Sequence, residues 1–211
     1  LFKITNNLAD QVILVSNYIK KNHKNFKGQI DVVYNSLSEE FKKFPKHIKN
    51  HPNNEFNVIM LASLSPHKGV NQFVNLAISL PSMKFTLVLS NSIKQIDKFL
   101  KNKNIPNNLK YFPAQKTVHS FYQEADLVIN LSDKKLFVET FGMTILEAMS
   151  YGLPVIIPKI GGITELVKEN YNGYHIDSHN HDLLVSTIKN LSNDIVKWKY
   201  LGGNGYKYSE K

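Results

Sequence analysis

The sequence predicts an α/β fold built on a doubly wound parallel sheet, and three observations predict it. Apolar runs of strand length recur along the 211 residues, most gaps between them carry apolar residues at helical spacing, and the runs are apolar throughout rather than alternating. Alternating strands and helices give a sheet with crossovers, and a strand apolar on both faces needs a layer of helices on each side.

The elements follow in order. Strands are expected at Gln11 to Ser16, Ile30 to Tyr34, Asn57 to Ala62, Lys84 to Ser90, Ala125 to Leu131 and Pro154 to Ile157. Helix spacing is carried by Val70, Phe73, Val74, Ala77 and Ile78, then by Ile93, Ile96, Phe99 and Leu100. Val118, Phe121 and Tyr122 repeat it, as do Ile145, Leu146 and Met149. No fixed-period repeat is present. The stretch Phe44 to Glu55, F-P-K-H-I-K-N-H-P-N-N-E, has two prolines and no sustained periodicity, so residues 44–55 read as a linker. Residues 56–211 hold enough alternating elements for a Rossmann-like core. Residues 1–43 hold two strands and about two helices, too few for an independent domain of this type, and read as the end of another one. A start at Leu1 fits a piece cut from a longer chain.

Composition narrows the function classes. With 42% hydrophobic and 20% charged residues the chain is globular rather than disordered, and long enough to bury on the order of 70% of its unfolded surface. The absence of cysteine excludes disulfides and cysteine-held metals and points to a reducing cytoplasm. The longest apolar runs, such as Val12 to Val15 and Leu153 to Ile157, are far shorter than the roughly 18 residues of a membrane span, and no apolar signal core opens the chain. The net charge is +9, but all 26 basic residues are lysine. Base readout favours the planar arginine fork, so nucleic acid is not an expected partner. Lys20, Lys21, Lys24 and Lys27, and Lys94, Lys98 and Lys101, read as solvated helix faces.

The densest chemical signal is Glu139 to Ile156, E-T-F-G-M-T-I-L-E-A-M-S-Y-G-L-P-V-I, which follows an expected strand. A glutamate, a Phe-Gly turn, a second glutamate eight positions on and then G-x-P-V-I closely resemble the E-x7-E signature of retaining GT-B glycosyltransferases, family 4, also called glycosyl transferases group 1. Four further stretches resemble that family. Leu8 to Ser16, L-A-D-Q-V-I-L-V-S, is similar to the strand closing its acceptor domain, and Val33 to Leu37 to its hinge segment. Leu64 to Val70, L-S-P-H-K-G-V, resembles its phosphate-contacting lysine turn, and Gly161 to Val167, G-G-I-T-E-L-V, the segment after the E-x7-E helix. The likeness covers essentially the whole chain as the C-terminal half of such an enzyme.

The resemblance implies roles residue by residue. Glu139 would contact hydroxyls of the donor sugar, and Glu147 would accept hydrogen bonds from the ribose of the nucleotide, for which an acceptor-only carboxylate is suited. Glu139 and Lys68 are the expected catalytic residues. A departing nucleoside diphosphate gathers negative charge, so the site must supply positive potential. Gly142, Met143 and Thr144 open an expected helix from Thr144 to Tyr151 whose leading N–H groups favour phosphate, and Lys68 adds a full charge at the end of a strand. Where the family has glycine-arginine before the lysine turn, Ala62 and Ser63 stand here, leaving Lys68 as that turn's cation and Ser63 at the donor site. Ser90, Asn91 and Ser92 replace a glycine-rich turn, Phe112, Pro113 and Ala114 occupy the loop that borders the base, and Lys134 and Lys135 read as surface lysines.

Other chemistries find little support. There is no D-x-D triad, Walker loop or G-x-S-x-G elbow, and His175, His179 and His181 follow a short strand and read as a turn. The expectation is therefore a donor-binding domain that passes a sugar, with retention, from a nucleoside-diphosphate sugar to a glycan or lipid-linked acceptor in polysaccharide biosynthesis. Neither cofactor nor metal is expected. The acceptor domain would lie outside this chain, which alone would transfer poorly. Expected localisation is cytoplasmic, with lysine-mediated contact at the inner membrane face compatible with a lipid-linked acceptor. Two alternatives use the same scaffold: a non-catalytic sugar-nucleotide or interaction module, and a sugar-nucleotide epimerase.

Overall fold

The computed structural model describes residues 9–22, 26–44, 46 and 48–211; Leu1, Leu8 and Lys24, named above, and Pro45 and His47 of the 44–55 stretch lie outside the described residues. A small parallel pair comes first. β1 (Gln11–Leu14) and β2 (Gln29–Val32) align with Val12 opposite Ile30. Both end earlier than the sequence suggests. Ser16 is buried and its carbonyl accepts from Lys20 N–H at 3.3 Å, so the chain has turned into α1 (Asn17–Asn22) by that point. Ser38 starts α2 (Glu39–Lys43), its hydroxyl accepting from Phe41 N–H.

The main sheet has six parallel strands in the order β5-β4-β3-β6-β7-β8. β3 (Asn57–Ala62) matches its expected range; β4 (Lys84–Leu89), β6 (Leu127–Ile129) and β7 (Val155–Ile157) fall within theirs. β5 (Leu109–Phe112) lies outside the strands predicted from sequence, and β8 (Gly173–His175) closes the opposite edge. The order grows outward from β3 and then resumes on its other side at β6. That reversal is a topological switch point, where open α/β sheets bind ligands beyond the carboxyl ends of their strands.

Helices cover both faces. On one side Val58 and Met60 of β3 pack with Phe73 of α3 (Val70–Ser79), Ile96 of α4 (Ile93–Leu100), Ile188 of α7 (His181–Asn193) and Trp198 of α8 (Ile195–Ser209). On the other, Ile59 packs with Tyr122 of α5 (His119–Glu124) and with Ile145 and Met149 of α6 (Met143–Met149). Consecutive β3 residues from Val58 to Ala62 thus enter opposite cores, which is why that stretch is apolar at every position. α6 starts one residue earlier and ends two residues earlier than the expected Thr144 to Tyr151. His175 ends β8 and His181 opens α7, so of the three histidines read as a turn only His179 lies in one.

The 44–55 stretch has no helix or strand among its described residues, yet it is held against the main domain. Phe44 stacks on His119 at 3.8 Å with the rings 4° from parallel. Asp126, fully buried, accepts from Lys49 Nζ at 2.9 Å, from Asn53 N–H at 3.0 Å and from Asn57 N–H at 2.8 Å. Its carbonyl takes the Trp198 indole N–H at 2.7 Å. A buried carboxylate is tolerated when its lone pairs are used in this way.

α8 crosses the turn after α6 so closely that a Cβ on Gly202 would lie 2.0 Å from the Gly152 carbonyl oxygen. One position on, Gly203 has open space around it. Gly202→Ala is expected to cost about 1–3 kcal/mol through overpacking, whereas Gly203→Ala should stabilise by roughly 0.8 kcal/mol through helix propensity. Urea unfolding of the two variants measures both. Equal effects would mean that the close approach does not control α8 packing.

Candidate functional site

A cavity of about 550 Å³ lies where the topology directs a ligand. Its walls are the carboxyl ends of β3, β4 and β6 (Ala62 and Ser63, Leu89 and Ser90, Asn130 to Ser132), the loop 114–115 with Val118, and the start of α6. Ser63, Lys68, Glu139, Gly142, Met143 and Thr144, which the sequence reading names for catalysis or donor binding, all line it. Glu147 and Pro113 do not. Pro113 turns its carbonyl to Gln115, which donates to it at 2.8 Å, so Ala114 and Gln115 form that wall instead.

Lys68 ends a 3-10 turn, Pro66–Lys68, directly after β3. Its ammonium is paired with Glu139 Oε1 and lies 5.5 Å from the centroid of the Phe137 ring. The same carboxylate oxygen accepts from Ser132 Oγ at 2.6 Å and is approached by Asn130 Nδ2 at 3.5 Å. Burial alone would raise the Glu139 carboxyl. Hydrogen bonds from Lys68 and Ser132, together with the Lys68 charge, outweigh burial and hold it below the usual carboxylate range. The sequence reading gave Lys68 and Glu139 separate tasks; the structure brings them into one ion pair. Its side chains are 23% and 11% exposed, so the pair is screened much less than a surface one.

Gly142 precedes α6 with φ 105°, and a Cβ there would lie 2.6 Å from Ile163 Cγ1. Only glycine suits that backbone. Its carbonyl accepts from Ile145 and Leu146, closing the first turn, while the leading N–H groups stay outside the i to i−4 ladder at the cavity wall.

Glu147 sits one turn into α6 and accepts from Tyr122 Oη at 2.7 Å. Its burial raises the carboxyl pKa, against the lowering effect of that hydrogen bond. Asn91, read from sequence only as a replacement for glycine, knits the rim: its Oδ1 accepts from Leu64 N–H at 2.9 Å and its carbonyl from Ala114 N–H at 3.1 Å. Asn35, Gln115 and the pair Asn130 and Ser132 also line the cavity and are not singled out by the sequence, because they come from three separate segments that only folding brings together. Lys134 bonds Asp177 at 2.7 Å, and neither it nor Lys135 reaches the cavity wall. Among the described residues no cluster of three or more His, Asp or Glu side chains is placed to hold a metal ion, and no helix is long and apolar enough to cross a membrane.

The model of the family described as glycosyl transferases group 1 matches residues 40–208. An uncharacterized glycosyltransferase of Methanocaldococcus jannaschii is 30% identical over 217 residues, covering 100% of this chain and 57% of that protein. Among solved structures, a sucrose-phosphate synthase from Thermosynechococcus elongatus superimposes with TM-score 0.81 at 20% identity, over 96% of this chain and 54% of its own. HepE of Anabaena, solved in complex with UDP and glucose, gives TM-score 0.81 at 22% identity, over 99% and 60%. The parallel-sheet α/β fold is thus that of GT-B glycosyltransferases. The chain spans a little over half the length of these relatives.

Proposed function

The chain belongs to the glycosyl transferases group 1 family, and from that membership we propose that it is the donor-binding half of a retaining transferase acting on a nucleoside-diphosphate sugar. The observation that carries the reading is the Lys68 and Glu139 pair, set in the wall of a cavity at the switch point of the sheet. The complex of HepE with UDP and glucose supports it.

In this reading the diphosphate lies against Lys68 and the first turn of α6. The sugar lies at Glu139, the ribose at Glu147, and the base near Ala114 and Gln115. Within the site the Lys68 cation is neutralised by Glu139. An arriving diphosphate competes for Lys68 and releases carboxylate lone pairs to sugar hydroxyls, so one exchange of partners prepares both ends of the bond to be broken. As that anomeric C–O bond lengthens, the electron pair moves onto the diphosphate, where Lys68 stabilises it. No metal is needed for this in the proposed mechanism. The acceptor, a glycan or lipid-linked glycan, and its domain are assigned to the rest of the protein.

The test is a thermal-shift series with uridine, guanosine and adenosine diphosphates. A ligand at 100 times its Kd should add about 2.7 kcal/mol of stability, and Lys68→Ala and Glu147→Ala should each abolish the shift. Silence of the unmodified chain toward all three would sink the donor reading.

A further inference from the structure

Tyr122 is fully buried, and its hydroxyl lies 2.7 Å from Glu147 Oε2 and 3.2 Å from the Thr144 carbonyl oxygen. A phenol has one proton to donate, and the shorter, charge-assisted contact to the carboxylate takes it. The ring has little freedom to swing away. It stacks on Tyr151 with centroids 5.5 Å apart and meets Phe41 edge-on at 6.4 Å. Phenylalanine would fill the same space without the cost of burying a hydroxyl, so packing does not account for that oxygen. Its partner does.

Position relative to the cavity gives the partnership a purpose. Thr144 stands three residues before Glu147 on α6, and Val118 four residues before Tyr122 at the start of α5; both line the cavity. Residues at those intervals share a helix face. Glu147 and Tyr122 therefore stand one helical turn beyond the cavity-lining Thr144 and Val118, behind the part of the wall where the donor reading places the nucleotide.

We infer that Tyr122 is a positioning residue that fixes the Glu147 carboxylate as a hydrogen-bond acceptor for the ribose hydroxyls of a nucleoside diphosphate, an inference that rests on the donor reading above. Tyr122 touches no substrate. It holds one carboxylate oxygen, which sets the carboxylate plane and leaves the other lone pairs for a vicinal diol. It also opposes the effect of burial on Glu147 and so favours the ionised form. Among the described residues, the titratable and charged groups around this pair and its stack include Tyr151, His119, whose Nδ1 contacts the Tyr151 hydroxyl at 2.5 Å, Lys46, 6.0 Å from the Tyr151 ring centroid, and Glu40, whose charge acts on His119.

The experiment measures Kd by calorimetry on the full chain. The probes are the nucleoside diphosphate giving the largest thermal shift and its 2′,3′-dideoxy analogue, with Tyr122→Phe, Glu147→Gln, the double variant and Tyr151→Phe. The unmodified chain should prefer the ribonucleotide by roughly tenfold. Tyr122→Phe should bring that ratio close to one while leaving dideoxy binding unchanged, and the double variant should be no worse than Glu147→Gln alone. Tyr151→Phe, which removes a hydroxyl from the same stack without touching Glu147, should keep the ratio. In Tyr122→Phe the acid limb of ribonucleotide affinity should also move to higher pH, because the bond that lowers the Glu147 pKa is gone. A ratio retained in Tyr122→Phe, or equal weakening of both probes, overturns the inference. If Tyr122→Phe does not fold, a ratio unchanged in Glu147→Gln overturns it equally. Absence of any nucleotide binding by the unmodified chain instead overturns the donor reading.

Discussion

Lys68→Ala, introduced into the full-length protein, is expected on the proposed mechanism to lower sugar transfer by about 10²–10³-fold, or ~2.7–4 kcal/mol of transition-state stabilisation. The effect should fall mainly on kcat, since the charge on the diphosphate is largest once the glycosidic bond has broken. Steady-state kinetics with saturating donor measures it; a kcat within threefold of the unmodified enzyme would remove Lys68 from the mechanism. The variant has a second signature in the ligand-free protein. Glu139 has a folded-state pKa held below its ordinary value, so its contribution to stability is present above the ordinary glutamate range and lost as pH falls through the lowered value. Without Lys68, among the described residues Ser132 and Asn130 remain to the carboxylate against the effect of burial. The acid-side loss of stability should begin at higher pH, which thermal melts across an acid pH series would detect.

Asp126→Ala is expected to cost about 3–5 kcal/mol of stability, because it strands a largely buried Lys49 ammonium and two backbone N–H groups. For a chain of this size that is a drop in Tm of about 6–20 °C. Adding Lys49→Met to it should cost much less than the sum of the two single changes, since the second substitution removes the charge that the first leaves unpaired. Chemical denaturation of the four proteins completes the cycle. A loss below about 1 kcal/mol for Asp126→Ala would mean that the 44–55 stretch does not depend on this carboxylate for its seat on the domain.

These two predictions differ in how far sequence alone could lead to them. Lys68 was legible because a strand end, a Pro-His-Lys-Gly turn and a helix start are local features. Asp126 was not. It opens an apolar strand pattern, and its partners Lys49, Asn53, Asn57 and Trp198 come from segments that only folding brings together. For the same reason the stretch 44–55 read as a bare linker, although Phe44, Lys49 and Asn53 tie it down.

The central strands β3, β4, β6 and β7 could be read from their residues because burial on both faces leaves a continuous apolar run. β5, L-K-Y-F, lies at the sheet edge, where one face is only partly covered and lysine is tolerated, so its run is broken and short. The family, the fold class and the cavity positions of Ser63, Lys68, Glu139, Gly142, Met143 and Thr144 were thus within reach of the sequence, since each depends on local pattern and spacing. Tertiary structure alone decided which groups pair with one another: Lys68 with Glu139 in an ion pair, and Tyr122 with Glu147 and Asn91 with Leu64 and Ala114 by hydrogen bonds. Spacing along a chain specifies which face of an element a side chain occupies, whereas the partner it meets depends on how separate elements pack, and hydrogen bonds and ion pairs act only at that short range.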